Sequence, residues 1–271
     1  MRFLWSTAVE MRRALHRRLV RWMIFVAVLL SGVTGLVVFL SSSDPVRFAT
    51  DHEHPARMVN WWNPAGNGDS FLGTAALFLV VGAAICGASV AGAEWRAGTI
   101  TTSLTWEPSR VRLHSARASS AAVLSFVIGL LLQILYLASA VPAVAAHGTT
   151  TGTDWAWWIS LLLAMLRISL ITSFVAVLAV SIATIGRNTS AALVVIAAWA
   201  LVIERLVAGF WPKLARFMIG ENVATVVSWA QLDGVEFERP PIVALFAVLS
   251  YLGVVALSAT AIFARRDVAT T

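Results

Sequence analysis

Six long apolar stretches constrain this chain more than any other feature of its sequence. They cover about 22 to 41, 71 to 92, 118 to 140, 158 to 185, 190 to 208 and 241 to 263. A bilayer core about 30 Å thick takes roughly 20 apolar residues per helix, so each stretch is long enough to cross it. The stretches are apolar throughout and lack the alternation of a membrane β-barrel strand. We therefore predict an all-α, polytopic membrane protein with six transmembrane helices in a single domain over residues 1 to 271.

Basic side chains are distributed unequally between the two sets of loops that join these stretches. One set carries thirteen arginines, whereas the other carries five lysines and arginines against nine acidic residues. Because cytoplasmic loops are enriched in Lys and Arg, we predict that both termini are cytoplasmic, and we assign the protein to the cell membrane. The net charge of +6 suits anionic lipid headgroups. We expect membrane lipid as a partner and no nucleic acid, since no basic groove is interleaved with aromatic residues.

The first twenty residues predict an amphipathic helix that lies in the membrane interface. Apolar residues recur there at three- and four-residue spacing while arginines cluster elsewhere on the helix. The apolar face consists of Phe3, Leu4, Thr7, Ala8, Met11, Leu15 and Leu19. Such a helix serves either as a topology anchor or as an elbow helix that transmits force, and the sequence leaves both interpretations open.

Small residues repeat every four positions in the second apolar stretch, at Ala83, Gly87 and Ala91. Rows of this kind let helix backbones approach closely in a membrane. We predict that this face forms a helix-packing contact, either a fixed one or one that slides during transport. Cys86 lies beside the row and is the single cysteine, so the chain cannot form an internal disulfide.

Three charged residues, Arg167, Glu204 and Arg205, fall inside the predicted spans, where such residues are candidates for function. Arg167 lies within the fourth span, and Glu204 lies toward the outer end of the fifth. A long Arg side chain can reach along a helix toward the interface, so we predict an intramembrane ion pair between the two. The pair is either structural or part of a gating step.

The motifs of common hydrolases and zinc enzymes are absent from the sequence. A P-loop needs Gly-Lys-Ser/Thr, and the only lysine, Lys213, follows Pro212. Four possible metal ligands are adjacent at 51 to 54, but neighbouring residues cannot all face one ion. We therefore predict that the chain is not an enzyme and binds no cofactor or metal itself.

A polar, Arg-rich segment at 92 to 117 separates the second and third apolar stretches. Its residue pattern predicts a short helix from about 92 to 104 and a break near 105 to 108. Ser109 then precedes the next helix, where its hydroxyl can cap the first turn. Arginines at the start of that helix keep it at the cytoplasmic face.

This segment resembles the membrane subunits of type-2 ABC transporters, the ABC-2 family. In that family an acid is followed by Gly-Thr and by a Leu/Thr run that ends in Pro and Arg. The matching residues are Glu94, Gly98, Thr99, Leu104, Pro108 and Arg110. The run Glu10-Met11-Arg12-Arg13 before the first span is also similar to the family's elbow helix.

The resemblance implies a permease that pairs with a second permease subunit and with a separate ABC ATPase, on which ATP and Mg would bind. It implies that a coupling helix contacts or positions this ATPase through Glu94, Trp95, Arg96, Gly98 and Thr99. It also implies short helices in the outer segment at 209 to 240. The resemblance implies export as the activity. Because the spans are apolar with few charges, the expected cargo is a lipophilic or amphipathic compound such as a drug, lipid or peptide.

Two other classes of function remain open at this point. A non-transporting membrane scaffold or assembly factor would bind a different soluble partner through the segment at 92 to 117. An ion-coupled carrier would need Arg167 or Glu204 to titrate during transport, and such carriers usually hold more ionisable groups within the membrane.

Overall fold

The structure, a computed structural model, describes residues 2–63, 70–230 and 239–266. Within these ranges the chain forms helices and no β-strand. The helices are α1 Arg2–His16, α2 Arg18–Ser42, α3 Pro45–Thr50, a 3-10 helix at Met58–Trp61, α4 Phe71–Arg96, α5 Ile100–Trp106, α6 Arg110–His147, α7 Trp155–Gly186, α8 Thr189–Ala198, a π-helical turn at Trp199–Ile203, α9 Glu204–Phe210, α10 Pro212–Ala215, α11 Ile219–Ser228 and α12 Pro241–Arg265. Residues 231 to 238 of the predicted outer segment lie outside the described residues.

Among the residues that the structure describes, six helical segments are long and apolar enough to cross a membrane. They are α2, α4, α6, α7, the continuous run Thr189–Phe210 and α12. Each overlaps one of the six apolar stretches, so the predicted all-α, multi-pass architecture is confirmed. Short helices also occur in the outer segment, at α10 and α11.

Polar side chains fix where several of these helices begin. The first turn of a helix has N–H groups without intrahelical acceptors, and a side-chain oxygen just before it can accept from them. Ser70, Ser109, Asp154 and Asn188 do so for α4, α6, α7 and α8. The predicted Ser109 cap is confirmed, with its Oγ 3.3 Å from the Arg112 amide nitrogen.

The third span is longer than the sequence predicts. Helix α6 has 38 residues, which at 1.5 Å per residue gives about 57 Å against a bilayer core of about 30 Å. Its first turns therefore extend beyond the membrane as a continuous rod, and they carry arginines to the polar segment that precedes it.

Helix α7 forms the centre of the bundle. In its most apolar window 61% of residues are buried, compared with 39% in α4 and 6% in the run Thr189–Phe210. The row Ala83, Gly87 and Ala91 is buried in a cluster with small residues of α7. A Cβ at Gly87 would lie 2.5 Å from the Ala176 carbonyl oxygen, so α4 and α7 meet backbone to backbone at this position.

The two ends of the bundle differ in charge. One end holds the junction of α1 with α2, the polar segment around α5, and the C-terminal ends of α7 and α12; we call it the basic end. The other holds the 3-10 helix, the start of α7 and α11, where Trp157 Nε1 donates to the carbonyls of Val59 and Trp62. We call it the opposite end.

Candidate functional site

The side chains that converge most strongly lie at the basic end, around Glu94. This glutamate is 8% exposed and lies two residues before the end of α4. Its carboxylate accepts hydrogen bonds from Arg17 Nη2 at 3.3 Å, from Ser103 Oγ at 3.0 Å and from Arg117 Nη2. One carboxylate thus links the three helices α4, α5 and α6 with the junction between α1 and α2, and we call this set the Glu94 junction.

A glycine turn brings Ser103 to the carboxylate. Gly98 has a φ of +68°, a left-handed conformation that glycine adopts without strain. The amide of Gly98 donates to the Trp95 carbonyl and that of Thr99 to the Glu94 carbonyl, at 3.3 and 3.0 Å. This closes the end of α4 and redirects the chain, so that Ser103 of α5 reaches the Glu94 carboxylate.

Arg17 joins the first two helices to α4. It is extended, with φ −65° and ψ 129°, and separates α1 from α2. Its guanidinium donates to the carbonyls of Ser89 and Val90 at 2.6 and 3.1 Å, in addition to Glu94. Burial lowers the pKa of Arg17 from its usual value, while the nearby Glu94 and Glu10 carboxylates raise it. Both carboxylates therefore favour the charged form that makes these bonds.

Arg117 is the most deeply buried charge of the junction. It is 2% exposed and pairs with Glu94. Its Nε and the Nε2 of His114, one turn earlier on α6, are buried without a hydrogen-bond partner among the residues described. A buried guanidinium is costly unless it is paired, so Glu94 is the group that makes this position tolerable for Arg117.

The end of α12 is attached to the same region. Arg110 Nη1 donates to the carbonyls of Phe263 and Arg266, and Arg266 Nη1 donates to the Ile185 carbonyl at 2.7 Å. The Trp95 ring packs edge-on against the Phe263 ring, with centroids 6.2 Å apart. The end of α12 therefore contacts the end of α4 directly through Trp95, and the end of α7 is connected to the same region through Arg266.

The structure divides the five predicted coupling residues into two groups. Glu94 is buried, and Trp95 is half-buried between Phe263 and the Arg187 guanidinium, whose carbon lies 4.8 Å from its ring centroid. Arg96, Gly98 and Thr99 are exposed. Glu94 and Trp95 are thus placed to position the surface, and the other three form part of it.

The predicted single helix from 92 to 104 is wrong in its boundaries. Helix α4 continues to Arg96, a turn follows, and α5 is a separate helix over Ile100–Trp106. The physical reason is the left-handed Gly98, which ends one helix so that the next can fold back. The predicted break at 105 to 108 is shorter than expected, because α5 includes Trp106.

Trp106 is a surface residue that the sequence interpretation did not single out. It is 84% exposed, at the end of α5. A groove of about 840 Å³ separates it from Trp5 of α1, which is 72% exposed, and is lined by both rings together with Pro108 and Arg112. A tryptophan in a polar loop between two spans was the available signal, because such a residue has neither a core nor a lipid interface to explain it.

Helix α1 forms the other side of this groove. It buries Thr7, Glu10 and Ala14, and its main packing partner is α6. Leu4 and Leu15 of the predicted apolar face are exposed, as expected for residues that contact lipid. Glu10 accepts a hydrogen bond from Arg13 Nη1 at 3.0 Å, which holds that arginine beside the groove.

The predicted ion pair between Arg167 and Glu204 does not form among the described residues. The Arg167 guanidinium carbon lies 6.0 and 5.6 Å from the ring centroids of Trp62 and Trp229. Glu204 accepts from the Gly220 amide at 3.0 Å and from Trp199 Nε1 at 2.8 Å. Both groups thus have partners from distant parts of the chain, and aromatic faces and N–H groups replace the expected opposite charge.

Comparison with family profiles and curated proteins assigns no family to this chain. No protein-family profile matches the chain, and no curated protein is significantly similar to it. The function is therefore argued from the geometry of the basic end and from the motif residues it contains.

Proposed function

We propose that the chain is the permease subunit of a type-2 ABC transporter in the cell membrane, with both termini cytoplasmic. It would export a lipophilic or amphipathic compound, powered by a separate ATPase subunit. The observation that carries the proposal is the Glu94 junction. It joins α5, a short helix at the surface, to α4, to α6 and to the end of α1 through buried, charge-assisted hydrogen bonds.

The junction has the properties that a mechanical link requires. Charge-assisted hydrogen bonds are about twice as strong as neutral ones, and burial strengthens them further because the local dielectric is low. A displacement of α5 would therefore move the ends of the spans instead of deforming the loop. A surface loop held only by solvated contacts would yield before it transmitted force.

The turn after α4 and helix α5 together form a surface that supports docking of a soluble subunit. Arg96, Gly98, Thr99 and Trp106 are all exposed at the basic end, and the groove between Trp5 and Trp106 lies beside them. Aromatic and arginine side chains of this kind are the usual energetic centres of protein interfaces. In this proposal ATP and Mg bind to the partner, and this chain supplies the docking surface and the link to the membrane.

The fifth span supports pairing with a second permease subunit. Its most apolar window is 6% buried, and a π-helical turn at Trp199–Ile203 interrupts it. Turns of this type are frequent at functional positions in helices. A peripheral, interrupted helix suits a contact between two bundles that changes during the transport cycle.

The proposal can be tested by purifying the tagged chain from its native membranes and measuring ATP hydrolysis in the eluate. Trp106→Ala should reduce the recovered ATPase by about tenfold, because truncation of a central interface aromatic costs 1 kcal/mol or more. Trp155→Ala is the matched control: Trp155 is 76% exposed but begins α7 at the opposite end.

Ser103→Ala separates coupling from docking in the same experiment. Ser103 is buried and bonds Glu94 without carrying a charge, so we expect the ATPase to remain bound while its hydrolysis no longer responds to the permease. Recovery of the chain without any ATPase would contradict the transporter proposal. Recovery of a different soluble protein, lost in Trp106→Ala, would favour a membrane scaffold.

A further inference from the structure

A cleft opens between α2 and α4 within the membrane-spanning part of the bundle. These two helices have few contacts with each other, since α2 packs mainly on α6 and α4 mainly on α7. The space between them has a volume of about 500 Å³ and is floored by α6. Its lining is almost entirely apolar, with Met23, Ile24 and Phe78 among the larger side chains.

The cleft has the length and chemistry of a site for a hydrocarbon chain. On α4 its lining runs from Thr74 to Val90, which corresponds to about 24 Å along the helix axis. One leaflet of the bilayer core is about 15 Å thick, so the cleft spans the leaflet at the basic end and continues past the midplane. Gly82 lines its wall, where the absence of a side chain leaves room beside Met23.

A second cavity lies beyond the cleft toward the basic end, and its lining on α4 begins at Ala93, about one turn past Val90. It has a volume of about 530 Å³, and its lining includes Arg13, His16, Arg17 and Thr102. Residues of one turn of α1 line both cavities. Ala14 lines the cleft, and Arg13 and His16 line the second cavity, which we call the polar cavity. An amphipathic molecule seated there would have its apolar part among α2, α4 and α6 and its polar part against α1.

Charge at this corner favours an anionic headgroup. Glu94 lines the polar cavity itself, and Glu10 lies one turn before Arg13 on α1. Both carboxylates are already paired with arginines. Arg13 remains 47% exposed in its side chain while it bonds Glu10. Three further arginines of the same corner are exposed: Arg12, Arg18 and Arg21.

We propose that the two cavities together bind one anionic phospholipid from the leaflet at the basic end. An acyl chain occupies the cleft, and the phosphate is held by Arg13 and His16 beside the Glu94 junction. Basic pockets between transmembrane helices hold anionic headgroups in this way. The binding needs no ATPase and does not depend on the proposed function.

Native mass spectrometry of the full chain with equal amounts of dioleoyl-phosphatidylglycerol and dioleoyl-phosphatidylcholine tests the headgroup site. We expect the anionic lipid to be retained about fivefold more often, the preference that one basic side chain confers near an anionic headgroup. Arg13→Gln with His16→Gln should bring the ratio close to one. Arg18→Gln removes the same formal charge outside both cavities and should leave most of the preference.

Modification of the single cysteine tests whether the acyl chain occupies the cleft. Cys86 lines the cleft one turn deeper in the membrane than Val90, so its alkylation with a bulky maleimide should fill the cleft and abolish lipid retention. Size-exclusion chromatography checks that the alkylated protein is still folded. Undiminished retention after alkylation would overturn the proposal.

Equal retention of the two lipids by the unmodified chain would also overturn it. So would a loss of preference in Arg18→Gln as large as that in the Arg13 and His16 variant, since this would indicate general surface attraction. If the double variant fails to fold, the lipid ratio of the unmodified chain and the Cys86 experiment still decide.

Discussion

The two ends of the bundle satisfy their charges differently. At the basic end, the Glu94 carboxylate accepts hydrogen bonds from two arginines and a serine. At the opposite end, Arg167 lies against two tryptophan rings, and Glu204 accepts hydrogen bonds from two N–H groups. The first arrangement is a buried network in which each charge depends on another. The second satisfies each charge separately. Removal of one group should therefore have different consequences at the two ends.

The contrast is informative about the roles of the ends. A network in which charges share one carboxylate moves as a unit, which suits transmission between helices. Independent contacts with aromatic rings and N–H groups join neighbouring segments pair by pair, without one shared charge on which several helices depend. We accordingly interpret the basic end as the region that responds to a partner and the opposite end as a stabilising region.

Glu94→Ala should have the largest effect on stability. It would leave Arg117, which is 2% exposed, beside Arg17 without a counter-charge, and an uncompensated buried charge costs about 3 to 5 kcal/mol. Glu204→Ala should cost only about 1 kcal/mol, as the loss of a helix-capping side chain does. Thermal unfolding of both variants in the same detergent measures the difference, and equal losses would contradict the contrast.

Some of these features could be predicted from the sequence, and others depend on the folded chain. The spans follow from the length of the apolar stretches, and the start of α6 follows from Ser109, because both signals are local. The inward position of Glu94 depends on the turn at Gly98 and on Arg117, which lies on another helix. A carboxylate next to a polar segment resembles a surface residue until that turn is known.

The interpretation of Arg167 went wrong for a related reason. Charge alone suggested Glu204 as its partner, but Trp62 and Trp229 reach it from two distant segments. Both tryptophans lie in segments between spans, where tryptophan is an ordinary residue of the membrane interface. Only the packing at the opposite end brings their rings to the guanidinium.

A double-mutant cycle sharpens this point with a smaller expected effect. Arg167→Met and Trp229→Leu should be non-additive, with a coupling of about 0.5 to 2 kcal/mol from the lost cation–π contact. Arg167→Met and Glu204→Gln should be additive within about 0.5 kcal/mol, because they share no contact. Thermal unfolding of the single and double variants provides the values. Strong coupling between Arg167→Met and Glu204→Gln would instead support the ion pair that the sequence predicts.

The smallest effect concerns Glu221, in the first turn of α11 beside Glu204. Burial raises the pKa of Glu221, and the negative charge of Glu204 raises it further. A carboxyl group whose pKa is higher in the folded state binds more protons there, so stability falls as pH rises from the unfolded pKa through the folded one. Glu221→Gln removes this penalty and should slightly raise the Tm at pH 7 but not at pH 4. A stabilisation of the same size at both pH values would show that ionisation of Glu221 is not its cause.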